Sequence, residues 1–253
     1  MVGTLYIVST PIGNLEDITL RALRILKAVG TIAAEDTRHT KQLCTHFGIE
    51  TPLTSYHDFN KEEKAAVLVE RLKSGIDVAL VSDAGTPVIS DPGYFLITQC
   101  IQAGITVVPI PGASAVLAAL AASGLPSDAF RFEGFLPRKA GARARRIEGL
   151  RGASGSIILF ESPHRIEKLL VALLAGLGNR RAVLGRELTK RFEEFRRGTL
   201  EELLTHVRSR PPKGEITVVV EGNARKQARL TERQADLDTE AGGGLSSGAP
   251  SRL

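Results

Sequence analysis

Cysteine is almost missing from this chain of 253 residues: the two present, Cys44 and Cys100, sit in apolar helical patterns with no paired CxxC spacing. That excludes a disulfide framework and a thiolate metal site. Tryptophan is absent and aromatics make up 5%, which argues against the extended base stacking of a single-strand binder. No GxGxxG follows the first apolar run and no GxxxxGK[ST] occurs anywhere, so neither the dinucleotide fingerprint nor a phosphate loop can be invoked. The five histidines, at 39, 46, 57, 164 and 206, show no HxxxH or other ligand spacing, and no metal is expected. No apolar run nears the roughly 20 residues of a membrane span. The opening MVGTLYIVSTPIGNL lacks the basic start and long apolar core of a secretion signal. The expected setting is soluble and cytoplasmic, without a membrane partner.

What is present points to an α/β fold. At 43% hydrophobic, the chain can bury a sizeable core in one large domain or in two of about 110 residues each. Short β-rich runs (TLYIV, GTIAAE, DVALVS, TVVPI, then FRFEGF, SIILFE, RAVLG, EITVVVE) alternate with helical patterns, as in βαβ units with mostly parallel sheet. In DITLRALRILKAVG, Ile18, Ala22, Ile25 and Val29 share one helix face while Arg21, Arg24 and Lys27 share another. Asn60 opens a capping pattern closed by Glu63, Ala65, Leu68, Val69 and Leu72 follow at helical spacing, and Gly75 is placed to end that helix. Asp91-Pro92 reads as an N-cap with proline at the first helical position, and Thr199 with Glu202 as a second capping box. Near SGLPSDA, residues 123 to 129, a small-residue helix gives way to Gly, Pro and Asp. This places an N-terminal α/β domain at 1–123 and a C-terminal α/β domain at 124–222. Over 223–253 apolar residues are too sparse to offset ordering entropy, so a disordered tail is expected, with at most a frayed helix over 224–237.

Glycine and proline collect just after the strands: STPIGN after the first, SDAGTPVISDPG after the third, PIPGASA after the fourth. In open α/β sheets, ligands bind outside the carboxyl ends of the strands, where such loops lie. The formal net charge is +5, and the segment RKAGARARRIEGLR between Arg138 and Arg151 alone holds six basic residues and one acid. The patterning therefore matters more than the total.

Taken together, STPIGNLEDIT, AAEDTRHT, SDAGTPVISDPGY, FEGFLPRK, ESPHR, RELTK, EEFRRGTL and PPKGEI resemble the ribosomal RNA small subunit methyltransferase I family, of the tetrapyrrole methylase superfamily. The resemblance runs in order over residues 4 to 222. It departs at Ala113, where the family usually has proline, and at Val88, where it has a small residue, often Gly or Leu. It implies two α/β domains with S-adenosylmethionine in the cleft between them, a homodimer, and 2′-O-methylation of a cytidine in the decoding region of 16S ribosomal RNA, with that RNA met within the 30S subunit.

Methyl transfer from a sulfonium asks the protein to align donor and acceptor and to exclude water. The superfamily motifs put the donor at Pro11, the loop Asp83, Ala84, Gly85, Thr86 and Pro87, and Gly112, Ser114 and Ala115. Gly85 and Gly112 would permit close backbone approach. From the second domain, Glu161, Pro163 and the Arg186 to Thr189 segment with Glu187 are further donor candidates. Asp36 and Arg38 are candidates for placing the acceptor; the alternative is a helix start in which Asp36 caps and Arg38 is solvated. His164 is a candidate base, set against a capping or packing role. Arg138, Lys139, Arg143, Arg145, Arg146 and Arg151 are candidates for RNA phosphate; only Glu148 is interleaved, so few local ion pairs can form. Two rivals remain: a small-molecule, tetrapyrrole-type methyltransferase on the same fold, and a non-catalytic RNA-binding assembly factor.

Overall fold

Apolar runs of four residues, too short for helices and bounded by Gly, Pro or Ser, become the inner strands of a parallel sheet. In chain order the elements are β1 (Leu5–Val8), a 3-10 turn (Leu15–Asp17), α1 (Leu20–Ala28), β2 (Thr31–Ala34), α2 (Thr37–Phe47), β3 (Leu53–Ser55), α3 (Lys61–Lys73), β4 (Val78–Val81), α4 (Tyr94–Gln102), β5 (Val107–Ile110) and α5 (Ala115–Ser123). There follow β6 (Phe130–Phe135), α6 (Ala140–Leu150), β7 (Ser156–Glu161), α7 (Ile166–Leu177), β8 (Arg181–Arg186), β9 (Glu194–Thr199), α8 (Leu200–Ser209) and β10 (Ile216–Val220). The computed structural model describes residues 1–223. The tail expected from 223, and the frayed helix considered over 224–237, lie outside the described residues apart from Asn223 itself.

The described residues divide into two compact units. The first comprises Met1–Ala122, Gly185–Phe195 and Lys213–Thr217; the second comprises Ser123–Leu184, Arg196–Pro212 and the chain from Val218.

In the first unit the sheet order is β3-β2-β4-β1-β5, and the pairings of β1 with β4 and β5, and of β2 with β3 and β4, are parallel. Strand alternation sends Leu5, Ile7, Ala33, Val78 and Leu80 into one core with Leu68 and Leu72 of α3 and Leu96 and Cys100 of α4. Val8, Ile32, Ala34, Ala79 and Val81 go into the other, with Ala22, Ile25 and Leu26 of α1 and Cys44 of α2. Both faces are covered, which is why these strands read as unbroken apolar runs. Burial pushes both thiols up, Cys100 to about 11, so neither is a ready nucleophile.

The other sheet has the order β6-β7-β10-β8-β9, with β6 parallel to β7 across a bulge between Phe132 and Gly134. Helix α7 buries Ile166, Leu169, Leu170, Leu173 and Leu177, and α8 buries Leu200, Leu203, Leu204 and Val207. The capping box expected at Thr199 is present, with its hydroxyl accepting from the Glu202 N–H and the Glu202 carboxylate accepting from the Thr199 N–H. No helix among the described residues is long and apolar enough to cross a membrane.

Three local readings are corrected. Helix α4 begins at Tyr94 with Gly93 at its N-cap (φ 146°), not at Asp91-Pro92; the intervening residues are drawn into a long loop in which Gly85, Val88 and Ser90 all have positive φ. Asn60 does stand at the N-cap of α3, but its side chain accepts from the His57 N–H at 2.9 Å and makes no capping hydrogen bond to the helix. Strands β3 and β9 were not anticipated. Each lies at a sheet edge, where one side of the strand lacks a ladder and apolar patterning is not demanded.

Candidate functional site

Because the first sheet is parallel, the carboxyl ends of β1, β2, β4 and β5 open on one edge, and their loops are tied together there. Thr10 and Gly85 exchange two backbone hydrogen bonds, of 2.9 and 3.0 Å. The hydroxyls of Ser9 and Thr86 lie 2.9 Å apart, and the Thr86 hydroxyl donates to the Ala113 carbonyl at 3.3 Å. A Cβ added at Gly112 would stand 2.9 Å from Ser9 Cβ, and one at Gly85, where φ is +82°, would stand 3.2 Å from Ile12 Cγ2. These two glycines thus let protein loops approach one another. Pro87 is buried and Ser114 and Ala115 open α5 beside this junction.

Asp83, on the loop after β4, accepts from the Asp36 N–H at 3.0 Å and contacts His39 Nδ1 at 3.2 Å. It therefore couples that loop to the start of α2. Asp36 is the N-cap of α2, its carboxylate accepting from the Arg38 N–H at 2.8 Å and from the Arg38 guanidinium at 2.6 Å. Arg38 holds the Asp36 carboxyl well below the usual carboxylate range. The same residues thus serve as a cap and an exposed arginine, with the Arg38 side chain 86% exposed.

Glu35 was not singled out from the sequence. It follows β2, is half-buried, and its carboxyl is pushed up to about 7, first by burial and then by Asp91, Asp83 and Asp58. Asp91 is pushed up by burial too, against the pull of the Ser82 hydroxyl. A glutamate adjoining the fully buried run TIAA was the available signal, since a carboxylate next to a buried strand end loses hydration.

A cavity of about 700 Å³ opens at this edge, lined by Thr10 to Leu15, by His39, Thr40, Gln42 and Leu43 of α2, by Ser82, Asp83 and Ala84, and by Lys190 and Glu215. All of these belong to the first unit. Lys190 bridges Glu187 at 3.0 Å and Glu215 at 2.6 Å. The Glu187 carboxylate also accepts the Glu215 N–H at 3.0 Å, the contact that chiefly holds it below its ordinary value. Pro11, Asp83 and Ala84 line the cavity directly, and Glu187 adjoins it through Lys190.

Glu161, Pro163 and His164 lie in the second unit. Glu161 is 3% exposed, accepts from the Ser162 N–H at 2.8 Å and pairs with Arg165 at 3.1 Å; Pro163 and the exposed His164 occupy the turn before α7. On and beside α6, Arg146 pairs at 2.6 Å with Glu133 of β6, which also holds Arg131, and Arg151 pairs with Glu148 at 3.4 Å. Arg143 donates to the Arg138 carbonyl at 3.2 Å. The acid that takes Arg146 comes from β6, outside the basic segment itself.

Residues 4–204 match the family model for Tetrapyrrole (Corrin/Porphyrin) Methylases. The ribosomal RNA small subunit methyltransferase I of Halalkalibacterium halodurans is 53% identical over 224 residues, covering 88% of this chain and 78% of that one. The protein of the same name from Vibrio cholerae is 55% identical over 221 residues, covering 86% and 77%. The crystal structure of uroporphyrin-III C-methyl transferase from Thermus thermophilus, complexed with S-adenyl homocysteine, superposes with a TM-score of 0.57 at 19% identity, covering 86% of this chain and 97% of that one. The two α/β sheets, the linked strand-end loops and these likenesses lead to one conclusion: the chain belongs to the ribosomal RNA small subunit methyltransferase I family, within the tetrapyrrole methylases.

Proposed function

We propose that this protein uses S-adenosylmethionine to methylate ribosomal RNA, and that the acceptor is the ribose 2′-hydroxyl of a cytidine in the decoding region of 16S RNA. The observation that carries the reading is 53% identity to a relative of that name across 78% of the relative's length. The cavity fits such a donor chemically. The acids Asp83 and Glu215 and the cation Lys190 face a space also walled by Ile12, Leu15 and Leu43, which suits a ligand carrying an ammonium, a carboxylate, a ribose and an apolar base.

S-adenosylmethionine supplies a methyl group on a sulfonium that departs neutral. The chain's part is to hold, orient and dry the reactants. Asp83, anchored by the Asp36 N–H and His39, offers a fixed anion. Pro11, Ala84, Gly85, Thr86, Pro87, Gly112, Ser114 and Ala115 shape the loops around it, and Glu161, Pro163 and Glu187 complete the proposed donor set. Asp36 sets Arg38, whose exposed guanidinium meets the RNA backbone. For the hydroxyl proton, His164 remains a candidate, and Glu35, raised to about 7, is a carboxyl able to bind a proton at neutral pH. Arg138, Lys139, Arg143 and Arg145 contact phosphates, with Arg146 and Arg151 beside them. In this reading 1–123 is the donor-binding domain, joined at the cavity by Lys190 and Glu215 from the span 124–222 of the second domain; the enzyme is a cytoplasmic homodimer acting on the 30S particle.

The test is transfer of labelled methyl from S-adenosylmethionine to unmethylated 30S particles, followed by nuclease digestion and identification of the nucleoside. 2′-O-methylcytidine is expected. Donor binding without transfer to 30S would contradict the reading in favour of a small-molecule methylase.

A further inference from the structure

The segment between β8 and β9 is held in a single shape. Glu187 and Thr189, neither a glycine, take positive φ of 50° and 65°, conformations that persist only where the surroundings impose them. The Lys190 N–H donates to the Glu187 carbonyl at 3.0 Å, and the Glu193 N–H to the Lys190 carbonyl at 3.1 Å. The Glu193 carboxylate accepts the Thr189 N–H at 2.6 Å. Lys190 reaches back to Glu187 and Glu215. Every clamp uses Glu187, Thr189, Lys190 or Glu193. The two residues between Lys190 and Glu193 are turned outward: Phe192 is 65% exposed, and the Arg191 guanidinium lies 5.5 Å from the centre of its ring.

The tip stands beside the cavity. A Cβ added at Gly13 would collide with the Lys190 side chain, its Cε lying 2.8 Å away, so the loop after β1 rests on Lys190, and both line the cavity wall. Arg191 and Phe192 follow directly on that lysine. A turn that spends its acids on holding itself, and leaves a cation beside a largely exposed aromatic ring, is a poor packing element. It is well suited to a planar group that carries negative charge at its edge.

We infer that Arg191 and Phe192 form a contact for one unpaired nucleotide of the RNA substrate, the ring stacking on its base and the guanidinium meeting its phosphate. The inference rests on the ribosomal RNA reading above and adds to it a residue pair in the first unit, distinct from the basic helix of the second. Aromatics at 5% of the chain rule out a stacking track, but one placed ring is enough to orient one nucleotide. Phe192 and Arg191 are thus positioning residues for substrate.

The experiment compares the full-length wild type with Phe192→Ala, Phe192→Leu, Phe192→Trp and Arg191→Ala. Each is assayed for methyl transfer to unmethylated 30S particles, for binding of S-adenosylhomocysteine by calorimetry, and for molar mass by light scattering. Phe192→Ala is expected to raise KM for 30S roughly tenfold, within the range that stacking one base supplies, while donor affinity stays within about twofold. Phe192→Trp restores KM and Phe192→Leu does not, because stacking needs a π face and an apolar contact does not. Arg191→Ala lowers the slope of log affinity against log salt by about 0.7, as expected when one single-strand phosphate is no longer neutralised. Unchanged KM in Phe192→Ala, full rescue by Phe192→Leu, or an altered molar mass would each overturn the inference. A wild type that binds S-adenosylhomocysteine yet methylates no RNA would remove the functional reading and this inference with it; an active wild type matched by all four variants would remove the inference alone.

Discussion

The loop edge of the first sheet and the helix α6 treat their polar groups in opposite ways. At the loop edge polar groups of one loop are bonded to another: Ser9 to Thr86, Thr10 to Gly85, Asp83 to Asp36 and His39. On α6 and its approach, Arg138, Lys139, Arg143 and Arg145 have no acid paired with them among the described residues, while Arg146 is tied to Glu133. Fixed geometry suits a small ligand whose reacting atom must be aligned. Unpaired cations on a solvated helix suit phosphates, which demand charge more than angle. The difference teaches that the two regions differ in how much local pairing their charged and polar groups retain, which is the contrast the proposed function calls for.

The comparison breaks most completely if the loop junction tolerates bulk. Gly112→Val would bring a Cβ to 2.9 Å from Ser9 Cβ, and overpacking of this kind is worth about 1–3 kcal/mol of stability. Loss of S-adenosylhomocysteine binding in calorimetry is expected, with retained far-UV circular dichroism; normal binding would mean the junction is not part of the donor site. Next in size, changing Arg138, Lys139, Arg143 and Arg145 together to Glu should raise KM for 30S by about tenfold or more and lower the salt slope by up to about 0.9 for each phosphate no longer neutralised. Donor binding should be unaltered, and equal weakening of both would dissolve the division of labour.

A smaller effect concerns Glu35. Its carboxyl binds a proton more tightly in the folded chain, about 7 against an ordinary 4.5, so the stability linked to it is complete below pH 4.5 and lost as pH rises through 7. Glu35→Gln should therefore raise the melting temperature at pH 8 and give no gain near pH 4. The expected gain is about 1 kcal/mol once solvent screening of a half-exposed group is allowed for. Thermal unfolding at the two pH values checks the sign. Smallest is Val88→Gly: a β-branched residue at φ 77° is strained, and glycine there should stabilise by roughly 0.5–1 kcal/mol, offset in part by the missing valine packing.

Residue patterns made the inner strands and the loop edge legible because both are set by short-range rules. Strands buried on two faces must be continuously apolar, and loops that approach each other closely need Gly and Pro. The edge strands β5 and β6 carry apolar runs, VVPI and FRFEGF, and were legible, whereas β3 is three residues, LTS, and β9 is the polar EFRRGT, so at those edges only the neighbouring strand specifies the pairing. Asp91-Pro92 looked like a helix start, yet it ends a loop in which Gly85, Val88 and Ser90 take positive φ, and α4 starts only at Tyr94. The pairing of Arg146 with Glu133 was hidden because that acid comes from β6, outside the basic segment. Glu35 was visible as a residue but not as a perturbed acid, since its shift arises from burial and from Asp91, Asp83 and Asp58, which only the fold brings near. Asp36 and Arg38 stood out as a polar pair, and their capping role was one of the two readings the sequence allowed.

The most direct test of the division between the two regions is calorimetric titration of S-adenosylhomocysteine into Asp83→Ala and into the Glu-substituted α6 variant, beside the wild type. The account predicts at least a tenfold weakening in the first, as expected when a charge-assisted hydrogen bond of about 1.5–3 kcal/mol is removed, and no change in the second. Unchanged affinity in Asp83→Ala, or weaker binding in the α6 variant, would contradict it.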